Sequence, residues 1–196
     1  MIQNKTSNRT KETIKKTFFD ILAEKEFDAI RLSEIIKKSS YSRSTFYKYY
    51  DNKFDFVEKV FNEEINSFAS AIKNAVSKNS PADNEETSYR MVYEIYEYVD
   101  TRKQFFSAIV DGTIPGYSIT KASGELYKDL VENIKINDEK WRKGIDKDYY
   151  FYMVANDLIA TIQYWYRHDY IKTVDDLVEI IINIYKTNGF YSVKIG

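Results

Sequence analysis

The stretch Ser42-Arg43-Ser44-Thr45-Phe46-Tyr47-Lys48-Tyr49-Tyr50 decides how this 196-residue chain reads. Ser42 offers a side-chain oxygen that can cap a helix, predicted to run to about Tyr50. With Phe46 turned inward, Arg43, Ser44, Tyr47 and Lys48 point outward and Thr45 sits at the margin. Just upstream, Ser33 is expected to cap a brief helix with Ile35 and Ile36 inward and Glu34, Lys37 and Lys38 around them. Ser39-Ser40-Tyr41 between the two is too short and too polar to be an element of its own. Two short helices separated by a turn of this length are what a helix-turn-helix requires. About eight helical residues rise about 12 Å, which matches a major groove about 12 Å wide.

The outward residues have a shared chemistry. Arginine bonds guanine edges in bidentate fashion. Hydroxyls and a helix N-terminus hold phosphates, and lysine displaces counterions. Phe46 already fills the inward position, so Tyr47 is assigned to DNA and Tyr50 to the core.

Working outward, Thr6 or Ser7 is expected to start the first helix, with Ile14, Phe18, Ile21 and Leu22 as its apolar stripe. That helix is expected to end near Lys25, and Phe27-Asp28-Ala29-Ile30 connects it to the second. Beyond the decisive stretch, Phe54, Val57, Phe61, Ile65, Phe68, Ile72 and Val76 recur at three-to-four spacing and predict a long fourth helix. Ser77–Asn84 reads as a loop. Further helices are predicted over 86–99, 104–110 and 117–135, then over Asp148–His168 and from Thr173 or Val174 to Gly189. Ile136–Lys147 has no clear pattern. Two prolines and six glycines leave few breaks, and no sustained period of two is present. The fold class is all-α: a three-helix head over residues 1–53, then a helical body over 54–196.

Composition bounds the function. There are no cysteines and one histidine, so thiolate sites, disulfides and histidine pairs are excluded; neither metal nor cofactor is expected. His168 beside Asp169 reads as a surface pair near a helix end. No phosphate loop of the GxxxxGK type and no GxSxG turn occurs, so no enzyme is indicated. A polar N-terminus and the lack of a long apolar run predict a cytoplasmic protein without a membrane span. Residues 1–60 hold 13 Lys and Arg against 9 Asp and Glu, while 16 against 21 remain for 61–196. A basic front on an acidic body suggests an anionic partner for the front alone.

From Leu32 to Lys53, and above all in Ser42–Tyr50 followed at once by Asp51-Asn52-Lys53, the chain resembles the DNA-binding signature of the TetR family of transcriptional regulators. Phe27-Asp28-Ala29-Ile30 also resembles the family's link between its first two helices. The likeness covers roughly residues 8–60. It implies that Arg43, Ser44, Thr45, Tyr47 and Lys48 meet bases and phosphates of a double-stranded operator. It implies phosphate contacts for Tyr49 and Lys53, with Ser33 and Ser42 as capping hydroxyls near the backbone. Two positions depart from the family: Ser40 stands where glycine is usual, and Tyr41 where a small aliphatic is usual.

The same resemblance implies a homodimer on a palindromic site, a repressor released by an effector. The last two helices would form the interface, through Phe151, Leu158, Ile162, Leu177, Ile181 and Tyr185. The run Val178-Glu179-Ile180-Ile181-Ile182 is apolar on several sides and needs more than one burying surface. Aromatic residues are abundant, with 18 Tyr, 12 Phe and 2 Trp. Tyr89, Tyr93, Tyr96, Phe105, Phe106, Tyr152 and Trp165, with Trp141 and Tyr164, are candidates for walls of an effector pocket suited to a flat apolar or cationic ligand. A body that docks a protein partner instead of a small molecule is the alternative.

Overall fold

The computed structural model describes residues 2–79, 84–134 and 144–186. All regular structure among them is helical. In chain order the elements are α1 (Ile2–Leu22), a 3-10 turn (Phe27–Ala29), α2 (Leu32–Lys38), α3 (Arg43–Tyr47), α4 (Lys53–Lys78), α5 (Glu85–Asp100), α6 (Lys103–Asp111), α7 (Ile119–Asn133), α8 (Lys147–Arg167) and α9 (Val174–Lys186). Ser80-Pro81-Ala82-Asp83, Trp141 and Gly189, which figured in the expected loops, pocket and helix end, lie outside the described residues.

The head is held by rings. Phe18 of α1 meets Phe56 of α4 edge to face at 5.2 Å. Phe56 in turn meets Tyr50 at 4.9 Å, and Phe46 of α3 lies 5.1 Å from Tyr50. Ile14, Ile21, Phe27, Ile30 and Ile35 complete a core that excludes water. Large rings suit a three-helix head this small, because each removes much apolar surface from water. Phe56 belongs to α4, so the long helix starts inside the head's core and no break separates head from body at residue 53.

Several boundaries differ from expectation. α1 begins at Ile2, earlier than Thr6 or Ser7, and stops at Leu22. α3 has five α-helical residues, with Tyr49 and Tyr50 folded back onto the Phe46 carbonyl as turns. Only about 7.5 Å of regular helix is therefore presented, at about 1.5 Å per residue. Phe54, expected to face inward, is 65 % exposed, while Phe56 and Val60 are buried instead. The reason lies at the helix start. Asn52 caps α4 through Oδ1, which accepts from the Phe54 and Asp55 amides at 2.8 and 3.0 Å. Asp55 Oδ2 reaches back to accept from the Asp51 amide at 2.8 Å. This reciprocal cap fixes the rotation of the first turn and leaves Phe54 outside.

In the body, α7 packs on α8, α4 on both α5 and α7, and α5 on α9. α6 ends at Gly112, whose φ of +62° is left-handed. Its amide and that of Thr113 bond back to the Ile109 and Ala108 carbonyls at 3.2 Å each, a closure glycine adopts at least cost. Hydroxyls tie the body's helices together. Tyr89 donates to Asp175 at 2.7 Å and Tyr185 to Asp157 at 2.7 Å, while Tyr127 donates to Asp148 and Tyr166 to Asp111.

Candidate nucleic-acid interface

The start of α3 is built on one serine. Ser42 Oγ accepts from the Thr45 amide at 3.1 Å and lies 2.8 Å from both the Ser44 and the Thr45 hydroxyls. It caps α3 as expected. Ser33 does not cap α2: that helix starts at Leu32, two residues earlier than a Ser33 cap would place it, with Arg31 before it and no side-chain cap. Ser33 is instead a hydroxyl within the first turn. Between the helices Ser40 takes φ +60°, the left-handed conformation that glycine would supply without strain. Tyr41 is half-buried and packs against the core.

Phe46 is 1 % exposed. Its neighbours therefore face solvent: Arg43, Ser44 and Lys48 are exposed, Tyr47 is 51 % exposed, and Thr45 is half-buried at the edge. These five form one outward patch. Tyr49 is half-buried, and Lys48 Nζ stands 5.8 Å from its ring centre. Burial pushes the Tyr50 hydroxyl well above the usual tyrosine range, in keeping with its core position.

Lys53 has structural work besides any contact with DNA. Its Nζ donates to the Phe27 and Ile30 carbonyls at 2.9 and 3.0 Å. It thereby satisfies carbonyls of the link between α1 and α2, with one N–H left over. Lys59 acts similarly, donating to the Tyr49 carbonyl at 3.1 Å and to Asp55 at 2.9 Å. Neither clasp is legible in residue spacing, since each bonds a main-chain oxygen 10 or more residues away. The Asn52 cap was missed in the sequence; the signal that could have found it is an Asn just before the helix, a favoured N-cap residue.

The expected pocket residues do not converge. Tyr89 and Tyr93 stack at 6.3 Å on α5 beside α9. Phe105 and Phe106 are core residues, packed on Phe61 and Phe68 of α4. Tyr96 is buried, and burial raises its hydroxyl's pKa. Trp165 is buried with Nε1 donating to the Lys172 carbonyl at 2.8 Å. Tyr152 lies outside, 52 % exposed and edge-on to Tyr127. The aromatic stripes at helical spacing mainly fill the core, and no single wall collects these seven side chains. His168 Nδ1 lies 2.7 Å from the Tyr164 carbonyl at the exposed end of α8.

The residues expected at the interface are placed as follows. Phe151, Leu158, Ile162 and Leu177 are buried within the chain itself. Ile181 is half-buried and Tyr185 is 63 % exposed. Apolar side chains left outside on α8 and α9 include Tyr150, Met153, Ile180 and Ile184, and an open cleft of about 280 Å³ between the two helices is lined by Met153, Ile181, Ile184 and Tyr185 among others.

A helical body entered by one long helix from a helix-turn-helix head defines a known class. The chain has the fold of TetR-type transcriptional regulators. It superposes on the fatty acid degradation regulator FadR from Bacillus halodurans with a TM-score of 0.65 and 17 % identity, covering 89 % of this chain and 93 % of that one. It is also similar to a putative TetR-family transcriptional regulator from Syntrophomonas wolfei str. Goettingen (TM-score 0.64, 14 % identity, 96 % and 99 % covered). A TetR transcriptional regulator from Streptococcus agalactiae 2603V gives a TM-score of 0.54 at 18 % identity, with 94 % and 97 % covered. In sequence, 46 residues are 48 % identical to the uncharacterized HTH-type transcriptional regulator YxbF of Bacillus subtilis (strain 168). That match spans 23 % of this chain and only 12 % of the relative. No family model matches the chain.

Proposed function

We propose that the chain is a sequence-specific DNA-binding transcriptional regulator that acts as a homodimer on a palindromic operator. The observation that carries this is the α3 patch: one buried anchor, Phe46, and a capped N-terminus hold Arg43, Ser44, Tyr47 and Lys48 outward together. Arg43 reads a base edge, and the hydroxyls and Lys48 take phosphates. Two copies set their third helices in successive major grooves, roughly 34–36 Å apart. The exposed apolar face of α8 and α9 supports the dimer, since Met153, Ile180, Ile184 and Tyr185 need a surface to cover them. A copy of the same pair, packed as a four-helix bundle, supplies it.

Bound in this way the dimer represses nearby genes by occlusion. An effector that prefers a body conformation with the heads wrongly spaced releases it, by as much as its preference between the two states. A protein partner in place of a small-molecule effector is the second reading. It is favoured by the exposed rings of Tyr149, Tyr152 and Tyr164 on α8.

Selection of sites from a random duplex pool, followed by titration of the selected site in rising salt, tests the proposal. A palindromic site with steep salt dependence is the expected result. A folded dimer that enriches no site overturns it.

A further inference from the structure

Lys15 of α1, Glu64 midway along α4 and Arg102 at the turn from α5 into α6 meet where the head rests on the body. Glu64 is only 3 % exposed and Lys15 only 9 %. One carboxylate oxygen of Glu64 meets the Lys15 ammonium, and the other lies 3.3 Å from Arg102 Nε. Lys15 also pairs with Glu12 at 2.7 Å. On the body side the contact is loose. Neither Glu64 Oε2 nor Arg102 Nε completes a hydrogen bond among the described residues, although both atoms are shielded from water. The other charges at this seam are Lys16, Asp100 and Lys103, which line the same open cleft of about 340 Å³. Lys103 and Asp100 already pair with each other at 2.5 Å.

We propose that Glu64 is a positioning residue: one buried carboxylate, divided between a cation of the head and a cation of the body, fixes the angle at which α6 holds the head. A buried charge must stay compensated, and stripping away a partner is strongly unfavourable. Lys15 and Arg102 answer the same charge, so their contributions are not independent. Other contacts also cross the seam. Lys11 of α1 pairs with Glu63 of α4 at 2.7 Å on the exposed side, Gln104 donates to Asp20 at 2.9 Å, and Phe19 meets Phe105 edge-on at 6.2 Å. Lys11–Glu63 is ionic but solvent-exposed, and none of these three spans three helices. Any shift of α6 that draws Arg102 off leaves Glu64 held by α1 alone, and the head then swings with α1. The consequence for operator spacing rests on the regulator reading; the positioning itself does not.

The test needs no DNA. The chain lacks cysteine, so spin labels go only where placed, at D28C on the head and K128C on α7, in labelled chain diluted with unlabelled. Glu64→Gln keeps the side chain's shape and removes its charge. The expected result is a cooperative melt together with a head-to-body distance distribution shifted or about twofold wider than the native one. Lys15→Met and Arg102→Met combine to change the thermal unfolding equilibrium by roughly fivefold or more beyond the product of the single changes, and combine additively once Glu64 is Gln. A distance distribution in Glu64→Gln that superposes on the native one overturns the proposal, as does additivity of the two cations in the native background. If Glu64→Gln does not fold, the double variant Lys15→Met, Arg102→Met carries the same distance measurement: a shifted or widened distribution supports the proposal, and one that superposes on the native overturns it. Neither result depends on an operator being found.

Discussion

The Lys53 ammonium stands 4.1 Å from the centre of the Phe27 ring and donates to the carbonyl oxygen of the same residue at 2.9 Å. One side chain thus pins the α1–α2 link to the start of α4. Lys53→Ala is expected to lower the stability of the head by about 2 kcal/mol, the usual worth of hydrogen bonds to a charged group. Urea denaturation followed by near-UV circular dichroism measures it. If the remaining N–H also reaches a phosphate, the salt slope of DNA binding falls by about one. A loss of stability with an unchanged slope assigns Lys53 to the clasp alone.

Ser40 holds a left-handed φ of +60° with a side chain that makes no hydrogen bond among the described residues. Ser40→Gly should therefore stabilise the protein by about 1 kcal/mol, because glycine takes this conformation without steric cost. A thermal melt that moves down would mean the serine is retained for a contact and not merely tolerated.

Arg43 is exposed, and its charge is not spent on an ion pair among the described residues. Arg43→Ala should leave stability within about 0.5 kcal/mol and cost about 1–3 kcal/mol of discrimination at one operator position. Binding to a panel of single-base operator variants reads this out. Uniform weakening across the panel would make Arg43 a phosphate contact.

Met153 and Ile184 are about half exposed in the single chain. A carboxylate at either, as in Met153→Glu, should convert a dimer to a monomer at micromolar concentration while helix content is retained. Analytical ultracentrifugation separates the two. The buried Leu158 makes the control: Leu158→Glu should unfold the chain, not merely dissociate it.

Alkaline pH should loosen the body. Hydrogen bonding to Asp111 raises Tyr166 to about 12, and hydrogen bonding to Asp175 raises Tyr89 to about 12, from an ordinary value of 10.0. A folded value above the unfolded one means the stabilisation is complete below about pH 10 and is lost as pH rises through about 12. Chemical denaturation at stepped pH should show that fall, and Tyr166→Phe should flatten it.

Residue spacing alone settled the all-helical class and the outward patch of α3. Helix periodicity is local: a residue's face follows from its spacing to the next, so Phe46 inward forces Arg43 and Tyr47 outward whatever surrounds them. The Ser42 cap is local for the same reason. Which of two apolar faces turns toward its own chain is not local. Phe151, Leu158 and Met153 all lie on one apolar helix, and only the packing of α7 and α6 against it decides that Met153 stays outside. Lys53, Glu64 and the Tyr–Asp pairs belong to the same category. Each depends on an ammonium, carboxylate or hydroxyl meeting a group from elsewhere in the fold, which spacing along one helix does not reveal; for the buried Glu64 the meeting matters most, because a charge withdrawn from water must find its partner within the fold.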